Sequence, residues 1–328
     1  MEVLKMNTKF DVVALGELLI DFTENGTSEQ GNPVLEANPG GAPCNVLAML
    51  NRLGHKTGFI GKVGQDMFGR QLEQALIETG ISTEGLVKDD EIHTTLAFVH
   101  TFEDGDRDFS FYRNPGADMM LREEELNTSM IENCRIFHFG SLSMTDEICR
   151  NATKKAIYLA KENGAIISFD PNLREPLWKS LDDAKEQITY GMTQCDIMKI
   201  SDNEIQWFTG EEDYDKGIAY LQSKFNIKLI LLSLGKDGSR AYINGKCAEV
   251  APFLQENTIE TTGAGDTFCA SVIHYVLEHG LEDYSEKEMQ EMLTFANAAA
   301  SLITTRKGAL RVMPSKEEIE DLIKSRQK

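Results

Sequence analysis

The run Thr261-Thr262-Gly263-Ala264-Gly265-Asp266-Thr267-Phe268 delivers an aspartate, through two glycines, into the start of a long apolar-striped helix. The first N–H groups of a helix have no intrahelical partners, and the helix dipole adds positive potential there. Phosphate is therefore well held at such a terminus. Gly263 and Gly265 let backbone approach a ligand with no Cβ in the way. A carboxylate beside an anion site can accept a proton, which is the equipment of phosphoryl transfer. The same residues also fit a plainly capped helix, because caps favour aspartate on local grounds. Other residues must decide.

Near the opposite end stands Asn38-Pro39-Gly40-Gly41-Ala42-Pro43-Cys44-Asn45. Gly40-Gly41 makes a tight turn into a helix, and Asn45 lies one turn in. Its amide offers a polar ligand both a donor and an acceptor. Taken alone, this is a loop followed by a polar helix-face residue.

The composition narrows the function classes. The 328 residues are 41% hydrophobic and 26% charged, with a net charge of −20. Acidic clusters such as Glu123-Glu124-Glu125 read as solvated turns. Nucleic acid and anionic membrane surfaces require clustered positive charge, so neither is expected as a partner. No apolar run approaches the roughly 18 residues of a membrane span, and no signal peptide opens the chain. Six scattered cysteines without a C-x-x-C pair predict a reduced, cytoplasmic protein. The histidines show no metal-ligand spacing, so no transition-metal site is expected.

These residues need a frame, and strand-like and helix-like segments alternate along the chain. Predicted strands are Asp11–Leu15, Thr57–Val63, Ile136–Gly140, Ala165–Asp170, Ile197–Ser201 and Lys228–Leu234, with a β pair over Ser239–Val250. Predicted helices are Ala42–Leu53 (closed by Gly54), Gly69–Glu78, Asp146–Glu162, Asp182–Gln194, Gly265–Glu278, Lys287–Thr304 and Lys316–Lys324. Alternation of this kind means an α/β fold, a mostly parallel sheet flanked by helices. Two stretches break it. Residues 22–37 are polar and weakly periodic. Thr94–Arg113 reads as a hairpin turning at Glu103-Asp104-Gly105-Asp106. With no repeat or Pro-rich linker, the reading is one domain, 1–328, carrying a small β lid.

The two motifs, in this order and near opposite ends, resemble the signature regions of the ribokinase-type (PfkB) carbohydrate kinases over nearly the whole chain. Gly16-Glu17-Leu18-Leu19-Ile20-Asp21-Phe22, Phe111-Tyr112-Arg113-Asn114-Pro115-Gly116-Ala117-Asp118 and Asp170-Pro171-Asn172-Leu173-Arg174 resemble the fructokinase branch. The resemblance implies a ribokinase-like, Rossmann-type fold and an ATP-dependent sugar kinase. Fructose is the first substrate expected; aminoimidazole riboside, 2-keto-3-deoxygluconate and ribose are the alternatives. A catalytically silent sugar sensor is a remote second reading.

Site residues follow from the resemblance. Asp21, closing the first strand segment, would hydrogen-bond sugar hydroxyls, with Gly40, Gly41 and Asn45 lining the same pocket. Tyr112, Arg113, Asn172 and Arg174 would complete it, Arg113 being brought onto the sugar by lid closure. ATP would lie between Ser233-Leu234-Gly235-Lys236-Asp237-Gly238 and Asn297, with Asn297 presenting an amide edge and Ser201 and Glu204 near the phosphates. Lys236 either touches phosphate or is a solvated loop lysine. The amides of Gly263, Ala264, Gly265 and Asp266 would hold the transferring group while Asp266 takes the proton. A carboxylate at a helix N-terminus is expected to have a lowered pKa. Neither the P-loop nor the dinucleotide fingerprint is present.

Mg²⁺ would accompany ATP, with Glu204 or Asp170 in its outer shell. Two departures stand out. The family's N-x-x-E motif reads Ser201-Asp202-Asn203-Glu204, where Asn203 can substitute only by shifting inward. Glu260 occupies a position usually held by an aspartate tied to a monovalent cation, so a K⁺ requirement is open. Exposed lid strands would allow a homodimer.

Overall fold

The computed structural model describes residues 9–101 and 107–326. The expected lid turn Glu103-Asp104-Gly105-Asp106 lies outside the described residues. Among the described residues thirteen strands follow one another: β1 (Phe10–Leu15), β2 (Leu19–Thr27), β3 (Pro33–Gly40), β4 (Thr57–Gly64), β5 (Ser82–Asp89), β6 (Leu96–Thr101), β7 (Arg107–Tyr112), β8 (Cys134–Gly140), β9 (Ile166–Asp170), β10 (Ile197–Ser201), β11 (Leu229–Ser233), β12 (Ser239–Ile243) and β13 (Lys246–Val250). They form a nine-stranded sheet ordered β13-β12-β11-β10-β9-β8-β1-β4-β5 and a four-stranded sheet ordered β3-β2-β6-β7.

In the large sheet, β11 through β5 run parallel, and β12 and β13 add an antiparallel edge. Parallel strands are covered on both faces, so they read as apolar runs. β1 shows the consequence residue by residue. Val12 and Ala14 enter one core cluster, while Val13 and Leu15 enter the other. The first cluster packs Ala42–Arg52, Ala264–His279 and Glu286–Ile303 on one face; the second packs Glu147–Glu162 and Leu181–Gln194 on the opposite face. The chain winds outward in both directions from β1 and β8, and such a reversal opens a crevice at the strand C-termini.

The elements predicted in the large sheet are present with small shifts at their ends, and Gly54 adopts the positive φ (94°) expected of a glycine closing a helix. Two sequence readings need correction. Residues 22–37 are not irregular: they belong to the β2–β3 hairpin, with a register shift between Glu24 and Thr27. Asp21 accordingly sits in β2 of the small sheet rather than at the end of a strand in the large one. β5 and the helices Asp202–Thr209 and Tyr214–Lys224 were absent from the sequence reading. β5 is an edge strand burying only Gly85, so no apolar alternation marks it.

All six cysteines are free. Among the described residues no helix is long and apolar enough to cross a membrane. Two histidines distant in sequence do meet: His55 Nε2 lies 2.7 Å from His274 Nδ1, with Glu278 close by.

Candidate active site

Two cavities open over the C-terminal ends of the strands, and they share Thr261 and Gly265. The first, of about 300 Å³, is lined by Asp21, Gly40, Gly41, Asn45, Asn172, Arg174, Gly263 and Asp266 among others. The second, of about 370 Å³, is lined by Ser233, Gly235, Lys236, Gly238, Ala264 and Asn297, with Pro252, Phe253, Leu254 and Ala300 as apolar walls. Most residues singled out from sequence therefore gather at two adjoining pockets, joined at the start of one helix.

That helix, Ala264–His279, begins from Gly263 in the left-handed conformation (φ 77°). A Cβ at Gly263 would lie 2.8 Å from the Ala309 Cβ, so backbone freedom and close packing both require glycine. Asp266 projects from the first turn, half-buried, and its Oδ2 accepts a 2.8 Å hydrogen bond from Asn45 Nδ2. Asn45 joins the two motifs in space, and its Oδ1 is buried with no hydrogen-bond partner among the described residues. The Asp266 pKa is raised, not lowered as the helix terminus alone suggests. Burial outweighs the opposing pulls of Asn45, Lys199 and Arg174. A base beside a phosphate benefits from that direction.

Across the first cavity Asp21 is pushed up to about 7, mainly by burial. Arg174 opposes this, and the carboxylates of Glu260 and Asp266 add to it. Arg174 is exposed at the cavity mouth with its charge felt at both aspartates. Gly40 packs against Asp21, and an added Cβ there would overlap Asp21 Oδ2. Gly40→Ala is accordingly expected to raise the sugar KM by about tenfold or more while leaving the ATP KM within twofold. A displaced carboxylate loses hydroxyl contacts worth about 1.5–3 kcal/mol. Equal effects on both KM values would exclude this role.

The small sheet forms one wall of the first cavity with Leu19, Asp21 and Thr23 of β2, Val99 of β6 and Phe111 of β7. Side chains along a strand alternate between faces, which corrects the expectation for Tyr112. Phe111 faces the cavity, and Tyr112 is 67% exposed and packs edge-on against Phe98. Arg113 is also corrected. Its guanidinium is buried, with Nε 2.8 Å from Asp118 Oδ2, Nη1 donating to Thr145 Oγ1 and Nη2 to the Leu142 carbonyl. These partners hold it beneath the small sheet, outside the residues that line the cavity.

At the second cavity, Asn297 does not present a free amide. Its Nδ2 donates to the carbonyls of Val250 and Ala251, and its Oδ1 accepts from Ser239 Oγ. It fixes the loop leaving β13 and thereby the shape of the cavity. Lys236 is exposed. Ser201 and Glu204 line neither cavity. They form a capping box on the helix Asp202–Thr209, in which Glu204 Oε2 accepts from Ser201 N and Oγ. Glu204 Oε1 also accepts from Leu173 N at 2.7 Å. Asn203 is exposed and has not moved inward.

The donors around Asp170 and Glu204 suit a hydrated cation rather than direct ligation, because their oxygens already serve Lys199, Asn172 N, Leu173 N and Ser201. That fits Mg²⁺ held mostly by phosphate and water. Glu260 lines the first cavity and accepts from Gly308 N at 2.7 Å. Lys199, absent from the sequence reading, is buried in the middle of β10 and lines the same cavity.

Comparison with known proteins agrees with this geometry. The family model for pfkB family carbohydrate kinases matches residues 9–316. The chain belongs to that family. A probable fructokinase-4 of Arabidopsis thaliana is 41% identical over 315 residues, covering 95% of this chain and 96% of the relative. A crystal structure of Xylella fastidiosa fructokinase with bound ATP superimposes with a TM-score of 0.88 at 30% identity, covering 97% of this chain and 99% of its own. Fructokinase from Vibrio cholerae O395, in a form with fructose, ADP and calcium ion bound, reaches 0.85 at 28% identity, covering 96% and 99%. The ribokinase-like frame of this carbohydrate kinase thus agrees with the sequence reading.

Proposed function

We propose that this carbohydrate kinase transfers the γ-phosphoryl group of ATP to the 6-hydroxyl of D-fructose. The observation that carries the reading is the junction of the two cavities at Gly265, with Asp266 facing the sugar side. The fructokinase names of its relatives support the choice of sugar.

In this reading fructose lies against Asp21, Asn45 and Asn172, with Arg174 at the mouth and its 6-hydroxyl beside Asp266. The ATP base and ribose occupy the apolar cavity walled by Phe253 and Leu254, and the γ-phosphate meets the amides of Gly263 to Asp266. The hydroxyl oxygen forms the new P–O bond as the bond to ADP breaks. Its proton passes to the Asp266 carboxylate, whose second oxygen is held by Asn45. The transition state is loose, so positioning counts for more than basicity. Mg²⁺, when bound, neutralises phosphate charge. Glu204 and Asp170 would hold its waters.

The small sheet acts as a lid over the sugar. Its edges β3 and β7 are where a second copy would pair, β3 exposing Val34 and Leu35. A cytoplasmic location fits the free thiols.

The test is ADP release with MgATP against fructose, ribose, 2-keto-3-deoxygluconate, aminoimidazole riboside and glucose, each with and without K⁺. Turnover strongest on fructose is expected. Preference for another sugar would overturn the substrate and keep the phosphoryl chemistry. Silence on all of them would return the chain to a binding-only sugar sensor. The K⁺ comparison reads out Glu260.

A further inference from the structure

Lys199 is unusual for where it sits. It is the central residue of β10, and its buried ammonium lies 3.1 Å from Asp170 Oδ2. Buried lysines require a partner, and Asp170 is one. The pair alone would be a structural ion pair, but two further observations place it beside the reaction.

Lys199 lines the cavity that holds Asp21 and Asp266. Its Nζ also lies 3.3 Å from where a Cβ on Gly265 would stand, with its Cε 3.7 Å away. Gly265, with Thr261, lines both cavities. Its missing side chain leaves a window between the ammonium and the place where a phosphoryl group must pass. An ammonium carries three donors, and Asp170 does not exhaust them.

We propose that Lys199 is a catalytic residue whose ammonium bonds the transferring phosphoryl group through the window left by Gly265. The proposal rests on the reading of this site as one of phosphoryl transfer to a sugar. Lys199 keeps its proton throughout. Asp170, Glu204 and Asp266 hold its pKa above the ordinary lysine value, outweighing the opposite effect of burial. It acts as a fixed charge toward the equatorial oxygens while the sugar proton goes to Asp266, so no atom is exchanged with the lysine. A charge already oriented in a buried site stabilises a developing anion without reorganising. The same ammonium favours the ionised form of Asp266, the form able to accept the proton.

The test compares Lys199→Met with wild type on whichever sugar the wild type turns over fastest, so an error in the sugar does not affect it. A fall in kcat of about 10²–10³-fold is expected, with the sugar Kd unchanged within threefold. The second readout is the affinity for ADP with aluminium fluoride, a mimic of the phosphoryl group in flight, relative to ADP alone. Wild type should gain strongly from the fluoride, and Lys199→Met should lose most of that gain. A merely structural lysine would lower the melting temperature and leave this ratio intact. Should Lys199→Met fail to fold, Gly265→Ala closes the window while keeping the Lys199–Asp170 pair, and the same loss of ratio is expected. An unchanged ratio in the folded variant, or kcat within tenfold of wild type, would overturn the proposal. No turnover by wild type on any sugar would instead remove the reading on which it rests.

Discussion

Asp266→Ala is expected to lower kcat by roughly 10²–10⁴-fold, the range for loss of a positioned proton acceptor, while MgATP affinity stays within a few fold. The carboxylate faces the sugar-side cavity, and Ala264 and Gly265 line the nucleotide side. Removing it leaves the backbone amides that receive phosphate in place. The loss therefore falls on the transition state rather than on nucleotide binding. Steady-state kinetics with calorimetric titration of ATP separates the two, and activity within tenfold of wild type would eliminate the role. The pH profile supplies an independent check. Burial raises the Asp266 pKa, so the folded protein holds this proton at a pH where an ordinary aspartate has lost it. Only the ionised form accepts the sugar proton. Turnover should be full above the raised pKa and fall as pH drops through it, with the acid limb above the usual aspartate value of about 3.9. An acid limb at or below that value would mean that another group controls the reaction.

Arg113→Ala is expected to destabilise the fold by about 3–5 kcal/mol, the cost of leaving a buried partner charge uncompensated. Asp118 is buried with Arg113 and also accepts from Thr95 Oγ1 at 2.5 Å. The guanidinium ties the end of β7 to the Leu142 carbonyl and Thr145 at the same time. Loss of the side chain leaves the buried Asp118 charge with only the Thr95 hydroxyl as a side-chain partner and cuts the link from β7 to Leu142 and Thr145, which keep their bond to each other. Urea unfolding followed by circular dichroism measures the difference. A stable variant with only its fructose KM raised would return Arg113 to the sugar.

Arg113 also marks what a sequence can say here. The two glycine motifs and Asp266 were legible because backbone approach and charge at a helix end leave local signs, and the resemblance brought Asp21, Asn45 and Arg174 to the same cavity. The parallel core was legible through apolar runs such as Leu229–Ser233. Three kinds of information were not local. Which of Phe111 and Tyr112 faces the first cavity depends on the phase of β7 against β6, set by pairing Leu96 with Tyr112. Whether Arg113 and Asn297 have free donors depends on partners brought in by the fold: Leu142 and Thr145 for one, Ser239 and Val250 for the other. Lys199 was hidden inside a strand whose neighbours are apolar, where a lysine reads as an interruption until Asp170 and Gly265 are placed beside it. The direction of the Asp266 pKa failed for a related reason. A helix terminus is visible in sequence, and the protein mass packed around it is not.

The small sheet contributes β2, β3, β6 and β7 residues to the sugar-side cavity and none to the nucleotide-side cavity. If the two cavities hold sugar and nucleotide as proposed, the two products leave by unequal doors. In the proposed reading ADP faces the loops after β11 and β13 and the helices Ala264–His279 and Glu286–Ile303, so its departure needs no strand of the small sheet to move. In the same reading the phosphorylated sugar would lie behind Leu19, Thr23, Val99 and Phe111, and its residence time would be set by the swing of that wall.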